Sequence, residues 1–366
     1  MTASKPLVAA PRPADGDQPV SILLSQDLRT AAAEEERGDR PIARSIDLLR
    51  DAELLLVDGA SDPARTARAL MRVGAANLSV GRLWEGHINA LRLIQLYGTG
   101  ELKKSLPRRI AMGAFLGVWG ADGDVPLTCE ASDGHLCGRK NFASGLGTVT
   151  HAIVTVNSGP EVRLALVDVT DTKRADPSIW NMQGMQATAS GTYDFTDLSD
   201  DRIEWVGGPG DYLQEPHFVG GVWRIAALQA GATAGLLDVA ATELRAADRM
   251  QSEAQKARLM NVLMQVWAGM ALVERAADAG VDRHVAKDDL VAASIAARLF
   301  TEETALHAIR AVEQSIGLRH FSAGSETGRM ARDLSVYLRQ AARDAFLQRA
   351  AQTALGREYR IWGVFN

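Results

Sequence analysis

Two cysteines, Cys129 and Cys137, are all that 366 residues contain. That excludes a disulfide framework and points to a reducing compartment, so a cytoplasmic protein is expected. Clustered basic residues are missing too. Forty Lys and Arg against 45 Asp and Glu leave a net charge of −5 without a basic tract, which speaks against nucleic acid as a partner. No apolar run suits a membrane span of about 20 residues. The longest, residues 225–241, carries Gln229 and Asp238 among small residues and reads as a buried helix packed closely on its neighbours. The N-terminus lacks the charged start and apolar core of a secretion signal. Rich in Pro, Ala and Asp, residues 1–25 are expected to be a disordered leader. No histidine or cysteine spacing suits a metal, no Gly-x-Gly-x-x-Gly follows a strand, and no Gly-x-Ser-x-Gly elbow is present.

What is present is a chain 46% hydrophobic, ample for a large core, whose character changes twice. Residues 26–106 are helical in character, with apolar residues at helical spacing in 63–73 and 78–96. Residues 106–113 read as a short connector. Between 107 and 206 Gly, Asp, Thr and Ser become frequent. Residues 151–156, 162–168 and 191–196 have strand patterns, marking a β domain. From 207 to 366 helices return, over 222–249, 255–279, 285–316 and 328–355, with lengths that suit a bundle. His87 lies mid-helix, where a buried structural role is expected. Met250, Met260, Met264 and Met270 read as helix-packing residues.

Gln314-Ser-Ile-Gly317-Leu-Arg-His-Phe321, followed by Glu326-Thr-Gly-Arg329-Met-Ala-Arg332-Asp333, resembles the C-terminal helical segment of the acyl-CoA dehydrogenases. In that family a Gln-x-x-Gly-Gly-x-Gly-Phe turn leads through an Arg-Asp pair to a Tyr-Glu-Gly-Thr motif. Four further stretches resemble it in order: Leu78 to Gly117, Gly138-Arg-Lys-Asn-Phe142-Ala-Ser144, Gly184-Met-Gln-Ala-Thr-Ala-Ser-Gly191 with Tyr193 and Phe195, and Arg224 ahead of an Ala/Gly-rich helix ending at Arg249. The resemblance covers most of residues 50–350. It implies an α+β fold with an all-α N-terminal domain, a β-barrel-like middle domain and a C-terminal four-helix bundle.

The resemblance also implies FAD. Ser144 stands where a hydroxyl meets the flavin N5 edge, and Phe142 where an aromatic lies on the ring. Trp119, Ala121 and Asp122 fall in the loop that contacts the pyrimidine. A carboxylate there would repel the flavin oxygens unless it bonds N3–H, and Asp122-Gly123 is equally a turn signal. Arg249, Gln314 and Gly317 match the parts that reach a partner subunit's FAD, which implies a homodimer or homotetramer. The small residues of 230–241 would permit close helix approach in that assembly.

The departures matter as much. At the position of the family's catalytic Glu stands Ala341, between Gln340 and the Ala342-Arg343 pair. The second known position for that Glu is Trp223. Trp223, Gln340 and Arg343 become pocket candidates, with no catalytic base identified. The loop after Asp122 lacks the Ala-Gly-Ser-Asp of the thioester pocket. Three readings follow. One is an FAD oxidoreductase acting on an acyl thioester or similar small molecule, served by an electron-transfer partner. Another is a flavin monooxygenase on the same scaffold, which needs no α-base and takes a flavin reductase as partner. The third is a non-catalytic relative.

Overall fold

The structure, a computed structural model, describes residues 20–57, 59–129, 135–198, 202–356, 358 and 360–365. The bulk of the expected leader lies outside these. Its end does not: helix α1 spans Ile22–Glu36, capped by the Ser21 hydroxyl on Leu24 N. The N-terminal part continues through α2 (Ala43–Asp51), α3 (Pro63–Ala76), α4 (Leu78–Tyr97) and α5 (Gly100–Ala111). Asn77 both ends α3 and caps α4 with its side chain. The segment read as a connector is α5. Thr99 caps it, and Leu102, Leu106 and Ile110 bury one face, so packing holds the helix despite Pro107 inside it.

Among the described residues the middle part has nine strands: β1 (Leu116–Trp119), β2 (Thr128–Cys129), β3 (Leu136–Cys137), β4 (Arg139–Lys140), β5 (His151–Ser158), β6 (Glu161–Asp168), β7 (Ala175–Asp176), β8 (Thr192–Asp194) and β9 (Ile203–Val206). They form a six-stranded sheet in the order β3-β2-β5-β6-β9, with β1 parallel to β5, and a three-stranded sheet β4-β8-β7. His87 ties this part to the helices. Leu116 N–H donates to its Nδ1 at 2.9 Å, so the proton sits on Nε2 and is donated to Leu55 O at 2.8 Å. The ring stacks on Phe115. Burial pushes its pKa down to about 4, so it is a neutral structural histidine.

The C-terminal bundle comprises α6 (Trp223–Ala246), α7 (Glu253–Ala279), α8 (Lys287–Ile316), α9 (Glu326–Tyr337) and α10 (Arg343–Leu355). The stretch Val219–Ala246 is long and apolar enough to cross a membrane, but 72% of its apolar window is buried inside the fold. Its small-residue face is used within the chain: a Cβ on Gly231 or Gly235 would meet the Met71 or Ala75 carbonyl of α3 at 1.9 or 2.3 Å. The helix expected over 328–355 is broken. Ala342 adopts φ 62°, Arg298 Nη2 donates to Ala341 O at 3.2 Å, and Arg343 pairs with Glu302 on α8. These contacts turn the chain from α9 onto α8, overriding a helix-favouring sequence.

One turn joins the three parts. Residues 184–190 run back from the β domain against α9. A Cβ on Gly184 would lie 2.6 Å from Arg332 C, so only glycine allows this approach. The Asp333 carboxylate accepts from Met185 N at 2.7 Å and from Arg329 Nη1 at 2.9 Å. From the other side the Glu36 carboxylate of α1 accepts from Gln186 N and Ala187 N at 2.9 and 3.1 Å.

Burial and then the nearby Asp333 carboxylate push Glu36 up to about 7, against those two N–H donors. The fold therefore favours its protonated form. That contribution is present below its unfolded value of about 4.5 and is lost as pH rises through about 7. Glu36→Gln is expected to abolish this component. Its melting temperature should fall less than the wild type's between about pH 5 and about 8. Parallel curves for the two proteins would contradict the assignment.

Candidate functional site

Beyond Trp119 the chain leaves β1 as an exposed edge, Gly120 to Asp122. Asn141 N–H donates to Ala121 O at 2.9 Å and joins this edge to the segment after β4. Phe142 follows in the left-handed region, φ 54°, and the residue is 54% exposed. An exposed aromatic on a strained backbone is costly and is found where a site uses it. Trp119 is buried instead. Its indole N–H donates to Ser144 O at 3.0 Å, and its ring meets Tyr193 at 5.5 Å. Trp119 thus fixes the backbone that presents Ser144. The Ser144 hydroxyl accepts from Ser190 Oγ at 3.0 Å, and Ser190 ends the turn held by Asp333 and Glu36. Ala121, Phe142 and Ser144 come together; Trp119 supports them from behind.

Asp122 has a different task. Lys140, wholly buried, places its ammonium 2.5 Å from Asp122 Oδ1 and 2.7 Å from Thr155 Oγ1. Asn157 Nδ2 and Leu127 N also donate to the carboxylate, each at 3.2 Å. Burial would raise the Asp122 pKa, but Lys140, Asn157 and the Leu127 N–H outweigh it and lower it. Asp122 is the counter-ion of a buried lysine and closes a turn, so its charge is already answered.

Next to Gly120 opens a cavity of about 240 Å³ between α4, β1, the start of α6 and α9. Arg82, Glu85 and Asn89 enter it from α4, Arg224 from α6, and Tyr337 and Gln340 from α9 and the turn after it. Arg224 Nε donates to Glu85 Oε1 at 3.2 Å, and Arg224 Nη2 to Asn89 Oδ1 at 2.7 Å. Arg82 Nη1 lies 3.5 Å from Glu85 Oε2. Glu85 is the cavity's one lining carboxylate among the described residues, and both its oxygens face guanidinium groups. Tyr212 and His217, from the segment before α6, complete the polar lining. Burial first, then the Glu85 carboxylate, raises the Tyr212 pKa. Burial lowers that of His217, leaving a neutral imidazole.

Of the pocket candidates, Gln340 lines this cavity, its amide donating to Tyr337 O at 2.7 Å. Trp223 does not. It is buried and lines a separate crevice of about 50 Å³ on the other side of Arg224. Ala341 is exposed and holds Arg298 through its carbonyl. Arg343 is spent on Glu302 and Glu303. Arg249 caps α8 of its own chain, with Nη2 donating to Ser315 O at 2.9 Å. Gln314 is exposed, and Gly317 takes φ 74° at the end of α8. Neither joins the cavity.

Sequence reasoning missed Arg82, Asn89, Tyr212, His217 and Tyr337. For the first two a signal existed: with Glu85 they recur at helical spacing inside a largely buried helix. Among the described residues no cluster of three His, Cys, Asp or Glu could hold a metal.

The sequence matches no protein-family model and no curated protein. Its structure is similar to several solved ones. TdsC from Paenibacillus sp. A11-2, a dibenzothiophene monooxygenase solved also with FMN bound, is 18% identical; the likeness covers 92% of this chain and 96% of that one, with a TM-score of 0.78. A nitrososynthase from Micromonospora carbonacea var. africana is 20% identical over 95% and 99%, with a TM-score of 0.74. The methanesulfinate monooxygenase MsuC from Pseudomonas fluorescens is 16% identical over 91% and 95%, with a TM-score of 0.72. At such identities the likeness establishes the fold: helical ends around a middle β part, in the arrangement of an acyl-CoA dehydrogenase-like protein.

Proposed function

We propose that the protein is a flavin-dependent monooxygenase that acts on a small molecule and receives reduced flavin from a separate reductase. The observation that carries this reading is the state of Glu85. An acyl thioester dehydrogenase needs a free carboxylate at the substrate to take the α-proton. The cavity's carboxylate is held between Arg82 and Arg224, and Ala341 points elsewhere. The names of TdsC and MsuC support oxygen chemistry on this fold.

The residues present fit a flavin. The exposed Phe142, the open edge at Gly120 and Ala121 and the Ser144 hydroxyl form one face, apolar on its flat and polar at its rim. Phe142 would lie on the ring system, and Ser144 would meet a ring nitrogen, held there by Ser190 and Trp119. Bound flavin would supply the electrons that activate oxygen, beside the cavity that holds the substrate. FMN suits the chain better than FAD. The Arg249 guanidinium is engaged by the C-terminal end of α8 in its own chain, so a pyrophosphate has lost the donor expected for it. TdsC was solved with FMN. The same reading takes the protein as a cytoplasmic homodimer or homotetramer. Met264 and Trp267 stand exposed on α7, where the methionines were expected to be covered, and support such an interface.

Titration of the purified protein is expected to show uptake of FMN with weaker or no uptake of FAD; tighter binding of FAD would contradict the role given to Arg249. Reduced flavin from a NAD(P)H reductase should support oxygen transfer to a small substrate. Saturated acyl-CoA should leave the flavin unbleached, since general-base catalysis is worth about 10²–10⁴-fold. Ala341→Glu should not restore that reaction, because the side chain does not line the cavity. Rapid bleaching of the wild type by a saturated acyl-CoA would overturn the monooxygenase reading.

A further inference from the structure

The cavity beside Gly120 is unbalanced in charge and in hydrogen bonding. Two guanidiniums and one carboxylate line it, leaving one positive charge with His217 neutral. Donors outnumber acceptors. Among the described residues Arg82 is engaged only by a 3.5 Å approach to Glu85, and Arg224 keeps Nη1 beyond its bonds to Glu85 and Asn89. The Tyr337 hydroxyl is buried and has no partner among the described residues, although a buried hydroxyl left unpaired costs about 1–3 kcal/mol. Burial raises the pKa of Tyr337 and of Tyr212, so both phenols keep their protons and can donate. Leu93, Val118, Phe218 and Ile225 add apolar surface to the lining. At about 240 Å³ the space is smaller than the roughly 300–1,000 Å³ of drug-sized sites.

We propose that this cavity selects a small substrate with an oxyanion head, a carboxylate, sulfinate or sulfonate, on a short apolar body. The anion sits against Arg82 and the Tyr337 hydroxyl, and Arg224 with Asn89 holds Glu85 aside. The carbon body lies on the Leu93–Phe218 surface, toward Gly120 and the open strand edge. This deepens the reading of the cavity as a substrate site.

Propionate and propanesulfonate are the probes, with propionamide as the neutral match, read by calorimetry and melting temperature in low-chloride buffer. The anions should bind and stabilise the protein, and propionamide should do neither. Tyr337→Phe removes a hydroxyl that has no partner among the described residues, so the unliganded variant should melt no lower than wild type. Its affinity for the anions should drop about tenfold, the worth of a hydrogen bond to a charged group. Glu85→Gln removes the opposing charge and should tighten anion binding, which a merely structural role would not do. Equal binding of propionamide, or unchanged anion affinity in Tyr337→Phe, would overturn the inference. These readouts need no flavin. FMN uptake without an anion response would sink this inference alone, and an anion response without FMN uptake would sink the flavin reading alone.

Discussion

The hydrogen bond from Met185 N–H to the Asp333 carboxylate is the constraint on which the rest depends. Asp333 is buried, so its charge is tolerable only because Arg329 and a backbone N–H answer it. Burial still raises its pKa. The bond forms only because Gly184 lets the turn lie on the Arg332–Asp333 peptide. Glu36 then grips the same turn from α1. Three parts of the chain, far apart in sequence, are locked at one point with few atoms.

The site inherits that lock. The turn ends at Ser190, whose hydroxyl orients Ser144, and Trp119 fixes the Ser144 backbone from beneath. On the other side α9 carries Tyr337 into the cavity, and Asp333 lies in that same helix. One anchored turn therefore sets the spacing between the open strand face and the donor-rich cavity. Lys140 and Asp122 stiffen the face independently, a buried cation and its counter-ion joining β4 to the edge after β1. A partner removed from such a pair leaves an uncompensated charge, so the arrangement tolerates little change.

Much of this was legible in the residues. The α, β, α order followed from composition and periodicity. Gly184-Met185 and Arg332-Asp333 stood out as separate motifs, and the fold shows them to be two halves of one contact. The small face of α6 was legible as a close approach, though not that α3 would meet it. The break before α10 was not legible, since no Gly or Pro marks it; contacts from Arg298 and Arg343 to distant groups impose it. Trp223 lines the neighbouring crevice, while Arg224 carries the cavity side of that turn of helix. The polar lining of the cavity comes from four segments, and no spacing along the chain could gather Tyr212, Arg224 and Tyr337.

A crystal structure grown with FMN tests the central claim most directly, namely that the anchored turn builds a flavin face beside a separate substrate cavity. Flavin density should lie on Phe142, with Ser144 at its polar rim and the Tyr337 side of the cavity left free for a second molecule. Density filling the cavity around Arg82 and Tyr337, or a Phe142–Ser144 face that stays bare at saturating FMN, would contradict it.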